Sequence, residues 1–510
     1  MKSREAPEVL PKTVGELRAS GWRSVPVKEE MRRNLIRMLR EKEPILSGII
    51  GYERTVLPAL RNAILARHDF ILLGLRGQAK SRILRALTGF LDERIPVVEG
   101  CEINDDPFAP LCKRCRRLAA ERGEALPVAS LGRDERYREK LATPDVTMAD
   151  LIGDIDPIKA ATERRSLSDE EVIHYGLIPR THRGIFAINE LPDLQTRIQV
   201  GLLNIMEERD VQIRGFPVRL PLDVCIVYSA NPEDYTNRGT IITPLRDRID
   251  SQILTHYPAT LEDAMAITAQ ESWVQRSGAP PVKIPKLLRE IVDSVAFAAR
   301  KSEFVDQSSG VSARLAIAAL ENVVSNAEQR ALAAGEASAV PRVCDLYSAL
   351  PAVTGKIELV YEGEQEGLAA VGRRVLGEAV QQLFARYFPN SAPPKAKPKR
   401  PSAPEATGRG SKDTAAEETV YKPVLDWFSK GNKIEITDAM SSADYAAALS
   451  KAEGLREIAV RHVKPEGADE IPLAMEFVLE GLHQNSLVAR EELDAKVSYR
   501  DMLRQMFESM

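Results

Sequence analysis

The sequence predicts an α/β fold, a parallel sheet covered by helices, followed by a helical lid, a tether and a small C-terminal helical domain. Three observations carry this reading. Short apolar runs alternate with helical patterns over residues 46–258. From 259 to 388 strand patterns all but vanish, and Ala/Leu-rich helical stretches such as ARLAIAALENVV take over. Residues 391–411 then read SAPPKAKPKRPSAPEATGRGS, with no large apolar residue. Alternation argues for parallel pairing because each crossover between parallel strands needs a helix's length of chain.

Residues 1–45 are expected to form an N-terminal helical segment ahead of the core. FILL at 70–73 is a buried-strand candidate, and SRILRALTGFL after it sets Ile83, Leu84, Leu87 and Leu91 on one helical face. IPVV (95–98), GIFAI (184–188), VCIVYS (224–229) and SQILTHY (251–257) are further strand candidates, with helical segments such as LQTRIQVGLLNIM (194–206) between them. VQIRGFPVRL reads as two alternating strands around Gly215-Phe216-Pro217. The stretch 389–419 is a solvated Pro/Lys-rich linker, its 391–411 portion holding five prolines, five basic residues and one acid. From 420 to 510, YKPVLDWFSK and ADYAAALSKAEGLREIAVRHV predict a small, mostly helical domain.

Composition bounds the function. A chain of 510 residues with 44% hydrophobic and 28% charged residues has ample material for a core. A net charge of −4 gives no general reason to expect nucleic acid or an anionic membrane as partner. No run approaches the roughly 20 apolar residues that span a bilayer, and MKSREAPEVLPK offers no signal sequence, so a cytoplasmic protein is expected. Five cysteines in a chain this long are not a disulfide framework.

The strand FILL runs into Gly74-Leu75-Arg76-Gly77-Gln78-Ala79-Lys80-Ser81, which matches the phosphate-loop pattern G-x-x-x-x-G-K-[ST] except at Ala79. In that pattern backbone amides face the phosphates, the lysine reaches the outer phosphates and the hydroxyl binds magnesium. Ala79 stands at the expected helix start, where helical backbone angles suit it. A second apolar strand, GIFAINELPDL, ends at Glu190, the candidate general base that orients water. Asn189 before it can accept a hydrogen bond from a metal-bound water but adds no charge, so weak magnesium binding and slow hydrolysis are expected. A third strand, VCIVYSANPED, ends at Asn231, positioned for the γ-phosphate or the water. Arg246 and Arg248 follow in TPLRDRID, and Arg314 opens the helix in SARLAIAAL; such cations stabilise charge on a transferring phosphoryl group.

In this order of parts, residues 46–388 resemble the AAA+ ATPases, and within them the MoxR and magnesium-chelatase small-subunit branch, whose Walker A loops commonly carry alanine before the lysine. The stretches most similar to that branch are IIGYERTVLPAL, TPDVTMADLIGDIDPIKA, GLIPRTHRGIFAINEL and MEERDVQIRGFPVRLPLDVCIVYSANPED. The resemblance implies an AAA+ P-loop core, a parallel five-stranded sheet with helices on both faces, followed by the helical lid. It implies ATP and Mg2+ as cofactors, with Lys80 and Ser81 on nucleotide and magnesium, Glu190 in catalysis and Asn231 as sensor 1. Arg248 or Arg246 becomes the finger acting on a neighbouring subunit, and Arg314 becomes sensor 2. It also implies a hexameric ring that works with a von Willebrand factor A (VWA) domain protein on a protein client, as a chaperone-like remodeler. Two alternatives are the magnesium chelatase ATPase subunit and a nucleotide-gated scaffold that scarcely hydrolyses, the latter because of Asn189. The related enhancer-binding activators add a GAFTGA loop and a DNA-binding tail, and neither is found.

Cys101, Cys112 and Cys115 are spaced C-x10-C-x2-C, a partial zinc pattern whose fourth ligand could be His174, His182, Asp105 or Asp106. The histidines show no H-x-x-x-H pair, so no catalytic metal site of that kind is expected.

Overall fold

In this computed structural model residues 11–167, 169–207, 220–232, 239–388, 413–493 and 496–502 are described. The pair of strands read over 211–220 lies, but for its last residue, outside them, as do residues 389–412 of the linker read over 389–419; its last residues, 413–419, instead open helix Asp413–Ser429. The chain divides between Tyr257 and Pro258 into two units. In chain order the described strands are β1 Phe70–Leu73, β2 Arg94–Val98, β3 Val128–Gly132, β4 Tyr137–Leu141, β5 Gly153–Ile155 and β6 Ile173–Tyr175. They continue with β7 Gly184–Asn189, β8 Val224–Ala230, β9 Ser251–Leu254, β10 Ile434–Thr437, β11 Ala489–Leu493 and β12 Lys496–Arg500.

Strands that are apolar at every position need cover on both faces, and the first unit supplies it. Its five-stranded sheet runs in the order β4-β7-β8-β1-β9, all parallel. Side chains alternate between two cores. Phe70, Leu72, Ile185, Ala187, Cys225 and Val227 pack with helices Val27–Glu41, Val56–Ala66 and Lys80–Ala86. Ile71, Leu73, Phe186, Ile188, Ile226 and Tyr228 pack on the other face with helix Thr196–Glu207. Helix Val27–Glu41 is tied in by a buried ion pair, in which Arg136 donates to Glu30 at 2.8 and 2.6 Å and also to the carbonyl of Arg183 at 2.8 Å.

The structure corrects one strand assignment. IPVV, read as a strand of the parallel sheet, is β2, and β2 pairs antiparallel with β3 in a separate two-stranded ribbon. The sheet position is taken instead by β4, YREKL, whose partly exposed polar residues mark it as an edge strand that an apolar-run search passes over.

In the second unit, residues from both sides of the tether share one core. Helices Lys286–Ala299, Arg314–Ala334, Leu368–Tyr387 and Ile471–Gln484 contribute to a continuous apolar cluster. Glu476 accepts hydrogen bonds from the backbone N–H of Val343 and Cys344 at 2.7 and 3.1 Å and from the Tyr445 hydroxyl at 2.5 Å. The described residues of 420–510, read as a domain of their own, are thus packed together with 258–388, and they carry an antiparallel sheet, β10-β12-β11, that the helical reading lacked. Among the described residues no helix is long and apolar enough to cross a membrane.

Candidate nucleotide-binding site

Neighbouring strands of the first unit deliver the predicted residues to one edge of the sheet. Parallel strands end on the same side, so the loop after β1, the residues after β7 and the residue after β8 lie side by side. The register aligns Leu73 with Ala230, and the Gly74 N–H donates to the Ala230 carbonyl at 3.2 Å, which sets the start of the loop beside Asn231. Ile188 is aligned with Tyr228, so Asn189 and Glu190 follow on the next strand over.

The loop itself is tightly specified. A Cβ on Gly74 would overlap the Thr255 and Gln78 side chains, so only glycine fits. Gly77 has φ +74°, and Ala79 has φ 58° and ψ 15°. The second value overturns the expectation that Ala79 has helical angles. The chain makes a left-handed turn there before helix Lys80–Ala86 begins, which is why glycine is the residue the pattern asks for. Lys80 is buried at 7% exposure, its ammonium donating to the Gly74 carbonyl and, at 3.1 Å, to that of Leu75.

Several residues that the sequence reading gave no role hold the loop from outside. The Tyr52 hydroxyl lies 2.8 Å from the carbonyls of both Gln78 and His256, which share its one proton, and burial pushes its pKa up to about 12. Thr255 donates to Gln78 Oε1 at 2.7 Å, and the Tyr257 hydroxyl donates to the Arg76 carbonyl at 2.8 Å. The stretch IIGYERT was visible in the sequence, but the partners of Tyr52 come from distant parts of the chain.

Asn189 is buried at 8% exposure and accepts a hydrogen bond from Ser229 Oγ at 3.1 Å. It also faces Glu139 on β4, a carboxylate held below its usual range chiefly by the Arg85 guanidinium. Arg85 donates to both Glu139 oxygens, its Nε at 3.2 and 3.1 Å. Glu190 sits in a left-handed conformation, φ 55° and ψ 52°, which turns the chain sharply at the strand end, and its Oε2 is shielded from solvent. The Asn231 Oδ1 is buried with no hydrogen-bond partner among the described residues.

The arginines differ. Arg248 donates to Glu207 at 3.1 and 2.6 Å and to the Pro244 carbonyl at 3.0 Å, whereas Arg246, on helix Thr243–Asp247, is exposed. Arg314 is exposed at the start of its helix in the second unit. The cysteines form a separate group with Asp105. Of the other fourth-ligand candidates, Asp106 bonds Ser24 and the Phe108 N–H, His182 accepts the Asp223 N–H at 3.0 Å, and His174 is exposed on β6.

No family model matches the sequence. A magnesium-chelatase subunit ChlI homolog of Methanocaldococcus jannaschii is 29% identical over 200 residues, covering 38% of this chain and 51% of that protein. The magnesium-chelatase 38 kDa subunit of Acidiphilium rubrum is 29% identical over 207 residues, covering 39% and 54%. Over the matched residues the chain is similar to the magnesium-chelatase-I branch of the AAA+ ATPases. It spans about half the length of the curated relatives it matches. Among solved structures, one of the complex between subunits BchI and BchD of magnesium chelatase is similar, with 19% identity and a TM-score of 0.34 over 63% of this chain and 98% of that one. The parallel five-stranded core and the mostly helical remainder of the chain agree with the fold read from its sequence.

Proposed function

We propose that this chain binds ATP with Mg2+ on Gly74–Ser81 and hydrolyses it slowly, as a ring-forming motor that remodels a protein client with a VWA-domain partner. The observation that carries the reading is the convergence of the Gly74–Ala79 loop, Glu190 and Asn231 at the same ends of β1, β7 and β8. The residues fit an anionic ligand, since Gly74 tolerates no Cβ and the turn through Gly77 and Ala79 leads into a helix start. When bound, magnesium nucleotide supplies the phosphoryl group and the cation that offsets its charge. Lys80 then exchanges loop carbonyls for phosphate oxygens, Ser81 and Asn189 face the cation, Glu190 orients water, and Asn231 offers its unpartnered Oδ1. Arg246 or Arg248 from a neighbouring subunit, and Arg314 as sensor 2, would complete the charge stabilisation.

Replacing Lys80 with alanine tests this directly, because it removes the loop's own ammonium. Titration with a fluorescent ATP analogue should show most of the affinity lost with folding retained. Unchanged binding would mean that residues 74–81 are not the phosphate loop.

A nucleotide-gated scaffold is the second reading, favoured by an Asn189 side chain that is uncharged and already engaged by Ser229. Steady-state turnover separates it from a motor. The names of the relatives support a third role, as the ATPase subunit that drives magnesium insertion into a porphyrin by a separate subunit. Porphyrin metallation assayed with and without this chain decides that one.

A further inference from the structure

The segment between β2 and β3 gathers soft ligands around one point. The Sγ atoms of Cys101, Cys112 and Cys115 and a carboxylate oxygen of Asp105 all lie within 4.8 Å of one another. Cys115 and Asp105 are fully buried and Cys112 is 6% exposed. The backbone has already formed N–H···S bonds, from Asp105 to Cys101 Sγ and from Cys115 to Cys112 Sγ, each at 3.3 Å. Asp105 Oδ2 accepts the Cys112 N–H at 3.0 Å, while its Oδ1 is buried with no hydrogen-bond partner among the described residues. A buried carboxylate oxygen without a partner is costly unless a cation meets it.

We propose that Cys101, Asp105, Cys112 and Cys115 bind one zinc ion as a closed structural site. The donors decide the class: three thiolates with one carboxylate suit a borderline-soft divalent ion and not magnesium or calcium. The spacing decides the number of ions. Zn–S bonds of about 2.3 Å in a tetrahedron separate ligand atoms by about 3.8 Å, close to the crowding seen here, whereas an iron–sulfur cluster puts each thiolate on a different iron. A disulfide would consume two thiols and leave Asp105 buried without a counter-charge. The ion would pin Cys101, just past β2, to Cys112, the N-cap of helix Lys113–Arg122, stapling the excursion that leads back to β3. This site does not rest on the ATPase reading.

The test is metal content of the full chain, purified under reducing conditions without chelator. Elemental analysis should find about one zinc per chain, retained in Cys344→Ser, whose cysteine lies in the other unit, and lost in Cys115→Ser. Asp105→Asn should weaken zinc in chelator competition by at least about 10-fold, since loss of a mere outer-shell partner already costs that much. Misfolding of a cysteine variant does not decide the matter, because the wild-type chain loaded with cobalt gives its own readout. Thiolate charge-transfer bands with intense tetrahedral visible bands are expected. Wild-type chain that neither carries nor takes up zinc, that carries iron with sulfide, or that gives an octahedral cobalt spectrum overturns the proposal.

Discussion

Ser229 on β8 donates its hydroxyl proton to the Asn189 side chain at the end of β7, 3.1 Å away, and the same asparagine faces the Glu139 carboxylate on β4. The amide therefore lies among side chains of three adjacent strands. An aspartate could keep the Ser229 bond but would set a second carboxylate beside Glu139. Asn189→Asp should raise ATP turnover and lower the magnesium needed for half-maximal rate, because it adds charge beside the cation. Adding Glu139→Gln should raise it further by removing a like charge from the new carboxylate. Glu190→Gln should abolish turnover with nucleotide still bound. Phosphate release measured against magnesium concentration checks all three, and equal curves for wild type and Asn189→Asp would show that Asn189 is no handicap.

Ala79 holds a backbone conformation that costs a non-glycine residue about 1 kcal/mol. Ala79→Gly should raise the melting temperature by about 2 °C for a unit of this size. Gly74→Ala should lower it, since the added methyl overlaps Thr255 and Gln78. Thermal denaturation of the pair provides the comparison, and a lower melting point for Ala79→Gly would contradict the strain argument.

Arg248 has to leave Glu207 before it can serve another subunit, and Arg246 does not. Arg246→Ala should bind ATP nearly normally yet lose about 10³-fold in hydrolysis in the assembled state. Mixing it with Glu190→Gln chains, each inactive alone, should restore some activity. If neither Arg246→Ala nor Arg248→Ala loses hydrolysis, the site is complete within one chain and the ring motor fails.

His182 accepts the Asp223 N–H through Nδ1, so it must stay neutral there, and burial lowers its pKa from 6.5 to about 3. Between those values the unfolded chain takes up a proton and the folded chain does not. The stability tied to this histidine is complete above pH 6.5 and is lost as pH falls toward 3. His182→Gln keeps a side-chain acceptor and cannot titrate. Its stability relative to wild type should improve by about 2 kcal/mol between pH 7 and pH 5, measured by denaturant unfolding.

The parallel core was legible because FILL, GIFAI and VCIVYS are apolar without interruption, which only a strand covered on both faces requires. IPVV misled for the same reason: an apolar run records burial, not which strand it pairs with. YREKL stayed invisible because an edge strand carries charge. In the site, the loop and strand ends followed from spacing, but the backbone angle of Ala79 did not, since a single side chain does not declare its φ. Tyr52 was equally unreadable as a clamp, its two acceptors lying 26 and 204 residues away in the chain.

The pairing of Glu30 with Arg136 bears on where this protein can be cut. Arg136 is 1% exposed, and its carboxylate partner comes from a helix that precedes the candidate phosphate loop. A chain trimmed to begin at residue 46 would keep every part of the candidate site and still bury a guanidinium with no counter-ion, a loss of about 3–5 kcal/mol. A piece that keeps this ion pair therefore starts ahead of Val27, and helix Val27–Glu41 is part of the folded unit rather than an attachment to it.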